Sequence, residues 1–210
     1  VQRSARPGCD VDYLFGQVAI DRPLIDWSGS CGNLAAAVGP FALHAGLLDP
    51  APAEGLCTVR IWQANLGQRI VAHVPMQGGR VQEMGDFALD GVPFAAAEIR
   101  LDFLDPAGGG GLPLLPTGRV RDTLDVPGLG LVEATLINAG NPTVIARAAA
   151  LGLAGTELPR ALNADAALLA RCEAVRAQAA VAMGLAASAE QATRERPATP
   201  KLALVALPAG

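Results

Sequence analysis

Ser28-Gly29-Ser30-Cys31-Gly32-Asn33-Leu34-Ala35-Ala36-Ala37-Val38 is the stretch on which the reading of this chain turns. Small residues on both sides of Cys31 let the backbone bend sharply, and the apolar run that follows predicts a helix over about residues 33–48. Asn33, or the turn before it, is placed to cap that helix. A thiol at such a mouth meets unpaired N–H groups and the positive end of the helix dipole. Both favour a thiolate over a thiol, and both can hold a carboxylate. That is a setting for proton transfer. The competing reading is packing alone, since free cysteines are among the most buried residue types.

The helix is apolar nearly all round (Leu34, Ala36, Val38, Phe41, Leu43, Leu47), which predicts burial on most faces. Gly39-Pro40 falls inside it, and an interior proline predicts a kink or a split. His44, alone on this run, reads as a core or boundary residue rather than a catalyst.

Upstream, residues 12–20 set Tyr13, Phe15, Val18 and Ile20 among small and polar neighbours, the pattern of a half-buried strand after a disordered start. Downstream, residues 58–62, 69–74, 87–89 and 97–103 alternate apolar and polar side chains. Asn65-Leu66-Gly67, Gln77-Gly78-Gly79 and Asp90-Gly91 supply the turns of an antiparallel meander. One buried helix beside many short strands predicts an α+β fold in which a curved sheet wraps the helix.

Residues 106–130, with glycines at 108–111 and prolines at 113, 116 and 127, read as a crossover or long loop. They divide residues 1–105 from residues 131–210. No Gly-Lys-Ser/Thr follows the glycines, so a phosphate-binding loop is a poor reading. Residues 131–137 and 143–146 read as strands joined at Asn138-Ala139-Gly140-Asn141-Pro142, a turn that can present an amide and bare N–H groups to a ligand. Residues 165–185 form a clear helix with Cys172 on its apolar stripe and Arg171, Glu173, Arg176 and Gln178 on a solvated side. Residues 188–200 read as a loop, and residues 200–207 as a strand with little left to pair with.

With 210 residues and 51% hydrophobic content the chain can bury a substantial core. A net charge of −4 and a pI near 5.1 argue against nucleic acid or an anionic membrane as the main partner, since either calls for a basic face. No apolar run is long enough to span a bilayer and the first residues do not form a signal peptide, so a cytoplasmic protein is expected. Cys9, Cys31, Cys57 and Cys172 are scattered, without metal-ligand spacing. Lacking an initiator Met and closing on a strand just begun, the chain is expected to be a fragment of a longer polypeptide.

The combination of Asp12-Tyr13-Leu14-Phe15-Gly16-Gln17-Val18, Asp26-Trp27-Ser28-Gly29-Ser30-Cys31-Gly32-Asn33, Ala37-Val38-Gly39-Pro40-Phe41-Ala42, Leu115-Pro116-Thr117-Gly118, Ala139-Gly140-Asn141-Pro142 and Pro200-Lys201 resembles the PrpF family. These are 2-methylaconitate cis-trans isomerases and their relatives, 4-oxalomesaconate tautomerases and methylitaconate Δ-isomerases. Cys31-Gly32-Asn33 and Gly140-Asn141-Pro142 are more distantly similar to motifs of diaminopimelate epimerases. The resemblance implies that superfamily's fold, two related halves, each a curved antiparallel sheet around a central hydrophobic helix. Ser30 departs from the asparagine common in the family. A lysine-bearing Arg-Gly-Gly-Thr-Ser-Lys-Gly-like segment and a second central helix are further family features not found among these residues.

The implied function is a cofactor-independent isomerase or tautomerase acting on an unsaturated di- or tricarboxylate. Cys31 would be one member of the acid/base pair. Ser28, Gly32, Asn33, Gly140 and Asn141 would bind substrate carboxylates. No metal, nucleic acid or membrane is expected, and a homodimer is a candidate assembly. Two rivals stand beside it: a non-catalytic fragment or carboxylate-binding module, and an amino-acid epimerase, which would need a second active-site cysteine that Cys172 is badly placed to supply.

Overall fold

The computed structural model describes residues 1–48, 51–107 and 111–208. The chain opens with strands β1 (Gln2–Arg3), β2 (Val11–Tyr13), β3 (Gln17–Val18) and β4 (Ile25–Asp26), then helix α1 (Gly32–His44). Strands β5 (Gly55–Gln63), β6 (Gln68–Gln77), β7 (Arg80–Val81), β8 (Arg100–Leu104), β9 (Asp122–Val126), β10 (Gly130–Ala139) and β11 (Asn141–Arg147) follow. A 3-10 turn at Ala148–Leu151 leads to helices α2 (Pro159–Ala164), α3 (Ala166–Ala182) and α4 (Ala189–Glu195), and β12 (Lys201–Val205) comes last. These elements make two compact units, one of Val1–Gly16 and Ser30–Pro106, the other of Gln17–Gly29 and Ala107–Gly210.

In the first unit a six-stranded sheet runs β1-β2-β5-β6-β7, with β8 also on β6. Its centre is the antiparallel β5–β6 pair, where every second residue is apolar and buried: Cys57, Val59 and Ile61 on one strand, Ile70, Ala72, Val74 and Met76 on the other. Ile61 and Ile70 face each other in register and are almost fully buried, so truncating either to alanine costs about 2–5 kcal/mol. The expected strand over residues 12–20 is instead β2 and β3, which belong to different units. Asn65 is the reason it stops: its side chain accepts from Phe15 N at 2.9 Å and donates to Phe15 O at 2.8 Å, taking the groups a ladder would need. The start of the chain is ordered, because Gln2 and Arg3 pair with Asp12 and Val11 and the Ser4 hydroxyl donates to Asp12 at 2.7 Å.

Helix α1 lies on this sheet through Ala35, Val38, Gly39 and Ala42. A Cβ on Gly39 would sit 2.7 Å from Val74 Cγ2 and 3.2 Å from Ala72 Cβ, so glycine is what lets the helix approach β6. Two expectations fail here. The helix runs through Pro40 unbroken and ends at His44, not near residue 48. Nor is it buried on most faces, since Leu34 is 53% exposed and Phe41 51% exposed; the sheet of this unit meets one stripe and leaves the opposite side open.

The second unit is a four-stranded sheet in the order β12-β11-β10-β9. Strands β10 and β11 form a tight hairpin around Gly140, whose φ of 78° is a conformation other residues resist. Helix α3 covers the sheet with Leu168, Val175, Ala179 and Met183. Three readings are corrected. Residues 122–126, taken as part of a loop, alternate buried and exposed and form β9, with buried Asp122 held by Arg119 and Thr117 at 2.6–2.9 Å. Within residues 188–200, Ser188 caps α4 by accepting from Gln191 N at 3.2 Å, a Ser-x-x-Gln signature that was legible. The final strand does find a partner, since β12 runs parallel to β11.

Of the four-glycine run, residues 108–110 lie outside the described residues. Among the described residues no helix is long and apolar enough to cross a membrane.

Candidate active-site elements

Of the two expected places, Asn33 or the turn before it, the head of α1 lies in the turn, at Cys31. Cys31 is extended (φ −116°, ψ 110°), and its carbonyl accepts the first helical hydrogen bond, from Ala35 N at 3.0 Å. Its side chain makes no capping hydrogen bond. Sulfur is a weak acceptor, so the first-turn N–H groups that an oxygen would have taken are left for water or a ligand. Cys31 is half-buried, and Gly32 and Asn33 are exposed. Packing does not demand glycine at Gly32: an added Cβ would meet Phe103 Cζ at 3.8 Å, an ordinary contact. The small residue keeps the approach to the helix mouth clear.

Sequence reasoning treated Tyr13 as a strand hydrophobe and passed over its hydroxyl. Tyr13, the chain's one tyrosine, is buried in the core shared with α1, and its hydroxyl has no hydrogen-bond partner among the described residues. Burial pushes the phenol above its usual range, and negative charge at Cys31 pushes it the same way.

A second group of expected site residues lies within the other unit. Ser28 and Gly29 run beside the β10–β11 turn, where a Cβ on Gly29 would lie 3.0 Å from Thr199 Cγ2 and 3.2 Å from Asn141 Oδ1. A side chain there would make both neighbours give by a few tenths of an ångström. Asn141 opens β11 directly after Gly140, and the turn is anchored by buried Asn138, which donates to Leu114 O through its backbone at 2.8 Å and to Leu112 O through its amide at 2.9 Å. Ser28 is held from two sides, and Asp26, one of its partners, is itself anchored. The Ser28 N–H donates to Asp26 Oδ1 at 2.8 Å, its hydroxyl lies 2.6 Å from Thr199 Oγ1, and Asp26 Oδ2 accepts from Ala198 N at 2.9 Å.

Behind Thr199 stand two arginines. Arg196 Nη2 donates to Thr199 Oγ1 at 3.2 Å, and burial pushes its guanidinium below the usual range, with Asp26 acting against the shift and Arg176 adding to it. Arg176, expected on a solvated face, is buried: it donates to both oxygens of Glu173 at 2.6 and 2.7 Å and to the carbonyls of Arg196 and Thr199 at 2.9 Å. The structure therefore brings Ser28, Gly140 and Asn141 together in one unit and keeps Cys31, Gly32 and Asn33 at the head of a helix in the other. Asp26, Thr199 and Arg196 were missed, because nothing local marks them. Ser28 and Thr199 meet across 171 positions of chain.

Cys57 and Cys172 pack in or against the two cores, and burial raises both thiols. Among the described residues there is no group of three or more His, Cys, Asp or Glu side chains able to hold a metal ion.

Residues 1–210 match the family model described as PrpF protein. The chain belongs to that family. This PrpF chain is 53% identical over 213 residues to the 2-methyl-aconitate isomerase of Shewanella oneidensis, an alignment covering 99% of this chain and 53% of that protein. It is 52% identical over 210 residues to the 2-methyl-aconitate isomerase of Cupriavidus necator, covering 98% and 53%. The solved structure of methylitaconate-delta-isomerase matches with a TM-score of 0.75 at 36% identity, over 97% of this chain and 52% of that one. The fold is accordingly the diaminopimelate epimerase-like one, each unit pairing a sheet with a helix and carrying one parallel strand pair, β2–β5 or β11–β12. The PrpF chain spans about half the length of the curated relatives it matches.

Proposed function

We propose that this PrpF chain carries part of a cofactor-independent isomerase that moves a proton on an unsaturated di- or tricarboxylate, with 2-methylaconitate the first candidate. The observation that carries the reading is Cys31 at the uncapped head of α1, in a chain half identical to two 2-methyl-aconitate isomerases. The carbon acid in such a substrate lies allylic or alpha to a carboxylate and is weak. An isomerase needs a base for its proton and donors for the enolate-like charge that develops. In this reading the Cys31 sulfur takes up or returns that proton. The N–H groups of Gly32 and Asn33, with the helix dipole behind them, stabilise the oxyanion. Ser28, Gly140 and Asn141 hold a second carboxylate. Removing a proton at one end of the allylic system and returning one at the other shifts the double bond; return at the same carbon after rotation exchanges cis for trans. Four free cysteines suit a reducing compartment, in keeping with a cytoplasmic enzyme.

The epimerase alternative needs a second reactive cysteine. Cys172 is packed against the core of the second unit with its thiol raised by burial, which counts against it.

The test is to incubate the protein, expressed from its complete reading frame, with 2-methylaconitate or trans-aconitate in deuterium oxide and follow label entry by NMR. Isomerisation with label entry, lost in Cys31→Ser, is the expected result. Label entry unchanged in Cys31→Ser removes the cysteine from its role. No exchange on any candidate acid removes the function.

A further inference from the structure

The hydrogen bonds behind Ser28 form a directed chain. Thr199 is fully buried, and among the described residues its hydroxyl meets two partners, Ser28 Oγ at 2.6 Å and Arg196 Nη2 at 3.2 Å. A guanidinium can only donate, so Arg196 takes one lone pair of Thr199 Oγ1. Two arrangements of the remaining proton are then open. If Ser28 donated to Thr199, the threonine's own hydrogen would point at nothing in a site closed to water, and an unmade buried hydrogen bond is expensive. If Thr199 donates to Ser28, the Thr199 hydroxyl is satisfied and the Ser28 hydrogen is left to point elsewhere. Burial selects the second arrangement.

Arg196 itself supports a role beyond packing. Its guanidinium gives one hydrogen bond to Leu185 O at 3.2 Å and one to Thr199, while Nε, out of contact with solvent, has no acceptor among the described residues. Arg196 is half-buried, and sealing its Nε from solvent without an acceptor is costly for structure alone. Asp26, which is buried, interacts electrostatically with this cation and fixes the Ser28 backbone by accepting from its N–H, so hydroxyl and main chain are set by one network.

We infer that Thr199 and Arg196 are positioning residues that leave the Ser28 hydroxyl hydrogen free to donate to a ligand, favouring an acceptor oxygen, a substrate carboxylate, as what Ser28 binds. This rests on the proposed role of Ser28 and adds the direction of its hydrogen bond. A hydroxyl with a free choice can accept from an amide or alcohol group as readily as it donates. One that already accepts from Thr199 keeps its hydrogen for the ligand and has a single lone pair left, which favours an acceptor there, most strongly a charged carboxylate oxygen.

The experiment is a double-mutant cycle in the protein expressed from its complete reading frame. It reads KM and kcat for 2-methylaconitate and, independently of turnover, the Kd of the saturated tricarboxylate tricarballylate by calorimetry. Ser28→Ala and Thr199→Val should each raise KM and Kd roughly tenfold with kcat changed less, as for an interaction present before the transition state. Thr199→Ser, which keeps the hydroxyl, should stay within about twofold of the parent, and Thr199→Val should add little in the Ser28→Ala background. Should Thr199→Val not fold, Thr199→Ala carries the same test, because it also removes the hydroxyl that donates to Ser28.

Normal Kd and KM in the folded variants overturn the inference, as do a Thr199→Val effect that persists in full without the Ser28 hydroxyl and a Thr199→Ser variant as impaired as Thr199→Val. Ser28→Ala without effect, beside a Cys31→Ser variant that abolishes turnover, overturns the role of Ser28 and this inference while the isomerase stands. Absent turnover with tricarballylate binding that follows the predicted pattern overturns the isomerase and leaves the inference standing. Neither turnover nor binding overturns both.

Discussion

Helix α1 begins at Cys31, whose side chain makes no cap hydrogen bond, whereas α3 begins at Asp165, whose Oδ1 accepts from Leu168 N at 2.8 Å. Both head residues are extended, so the backbone at each position is ready for a capping side chain. Only α3 has one. Replacing such a cap by a residue that cannot accept costs about 0.5–2 kcal/mol, so α1 forgoes stability that its geometry would allow. Helix α4 is capped like α3, by Ser188; α2 has no side-chain cap but starts with Pro159, which brings no N–H to satisfy. The lesson is a division of labour: oxygen-bearing caps close the mouths of α3 and α4 in the second unit, and at the mouth of α1 in the first the cysteine makes no such cap.

The largest effect should come from closing that mouth. In Cys31→Asp a carboxylate replaces the thiol and can cap α1, so turnover should fall by at least about 100-fold while the melting temperature rises by a few degrees. Activity assays and thermal unfolding on the same preparation read both numbers. A variant that loses stability as well as turnover breaks the comparison, because α1 would not then have been waiting for a cap.

The two helices also approach their sheets differently. Gly39 sets the contact of α1 with Ala72 and Val74, while α3 uses fully buried Ala179. Gly39→Ala should therefore destabilise by about 1–3 kcal/mol despite alanine's better helix propensity, because Ala72 Cβ cannot rotate away. Ala179→Gly should destabilise by about 1 kcal/mol for the opposite reason, lost propensity and contact. Denaturant midpoints give both values, and a stabilising Gly39→Ala would mean that α1 can retreat from β6. Removing the cap that α3 does possess, Asp165→Ala, should cost about 1 kcal/mol and leave turnover per folded molecule unchanged.

How much of this was legible follows the range of each interaction. The β5–β6 pair, the α3 helix with Gly184 after its end, and the hairpin at Gly140 rest on period, turn chemistry and local caps, all written in adjacent residues. The head of α1 was legible to within two residues, and its Cys31-Gly32-Asn33 motif pointed to the family. The division between units was hidden. Residues 17–29 belong with the C-terminal part of the chain, and what binds them there is Asp26 to Ala198, Ser28 to Thr199 and Arg22 to Thr193 O. Buried Arg176 was misread for a related reason: its partners include carbonyls 20 and 23 residues away, which no helical periodicity reveals.

The smallest effects concern how each unit holds a carboxylate. In the first unit Asp102 is kept below the usual carboxylate range chiefly by its hydrogen bond with His73, at 2.7 Å, with Arg100 adding to it. In the second, burial pushes Glu173 up, but hydrogen bonds from Arg176 and Thr193 outweigh it and the net shift is downward. A carboxyl whose folded-state pKa is depressed contributes stability that is fully present above its unfolded value, about 4.3 for glutamate, and is lost as pH falls through the folded value. Glu173→Gln should thus lower the melting temperature near neutral pH by on the order of 2 °C, since solvent reaches this pair and screens it, and the gap to the parent should close in strong acid. Asp102→Asn should show the same sign with a smaller amplitude, its carboxylate lying at the open surface. Melting curves at successive pH values between neutral and strongly acid separate the charge from the packing. A gap for Glu173→Gln that stays constant with pH would mean that Arg176 is held by its contacts with the Arg196 and Thr199 carbonyls alone, and the contrast between a buried and a surface clasp would disappear.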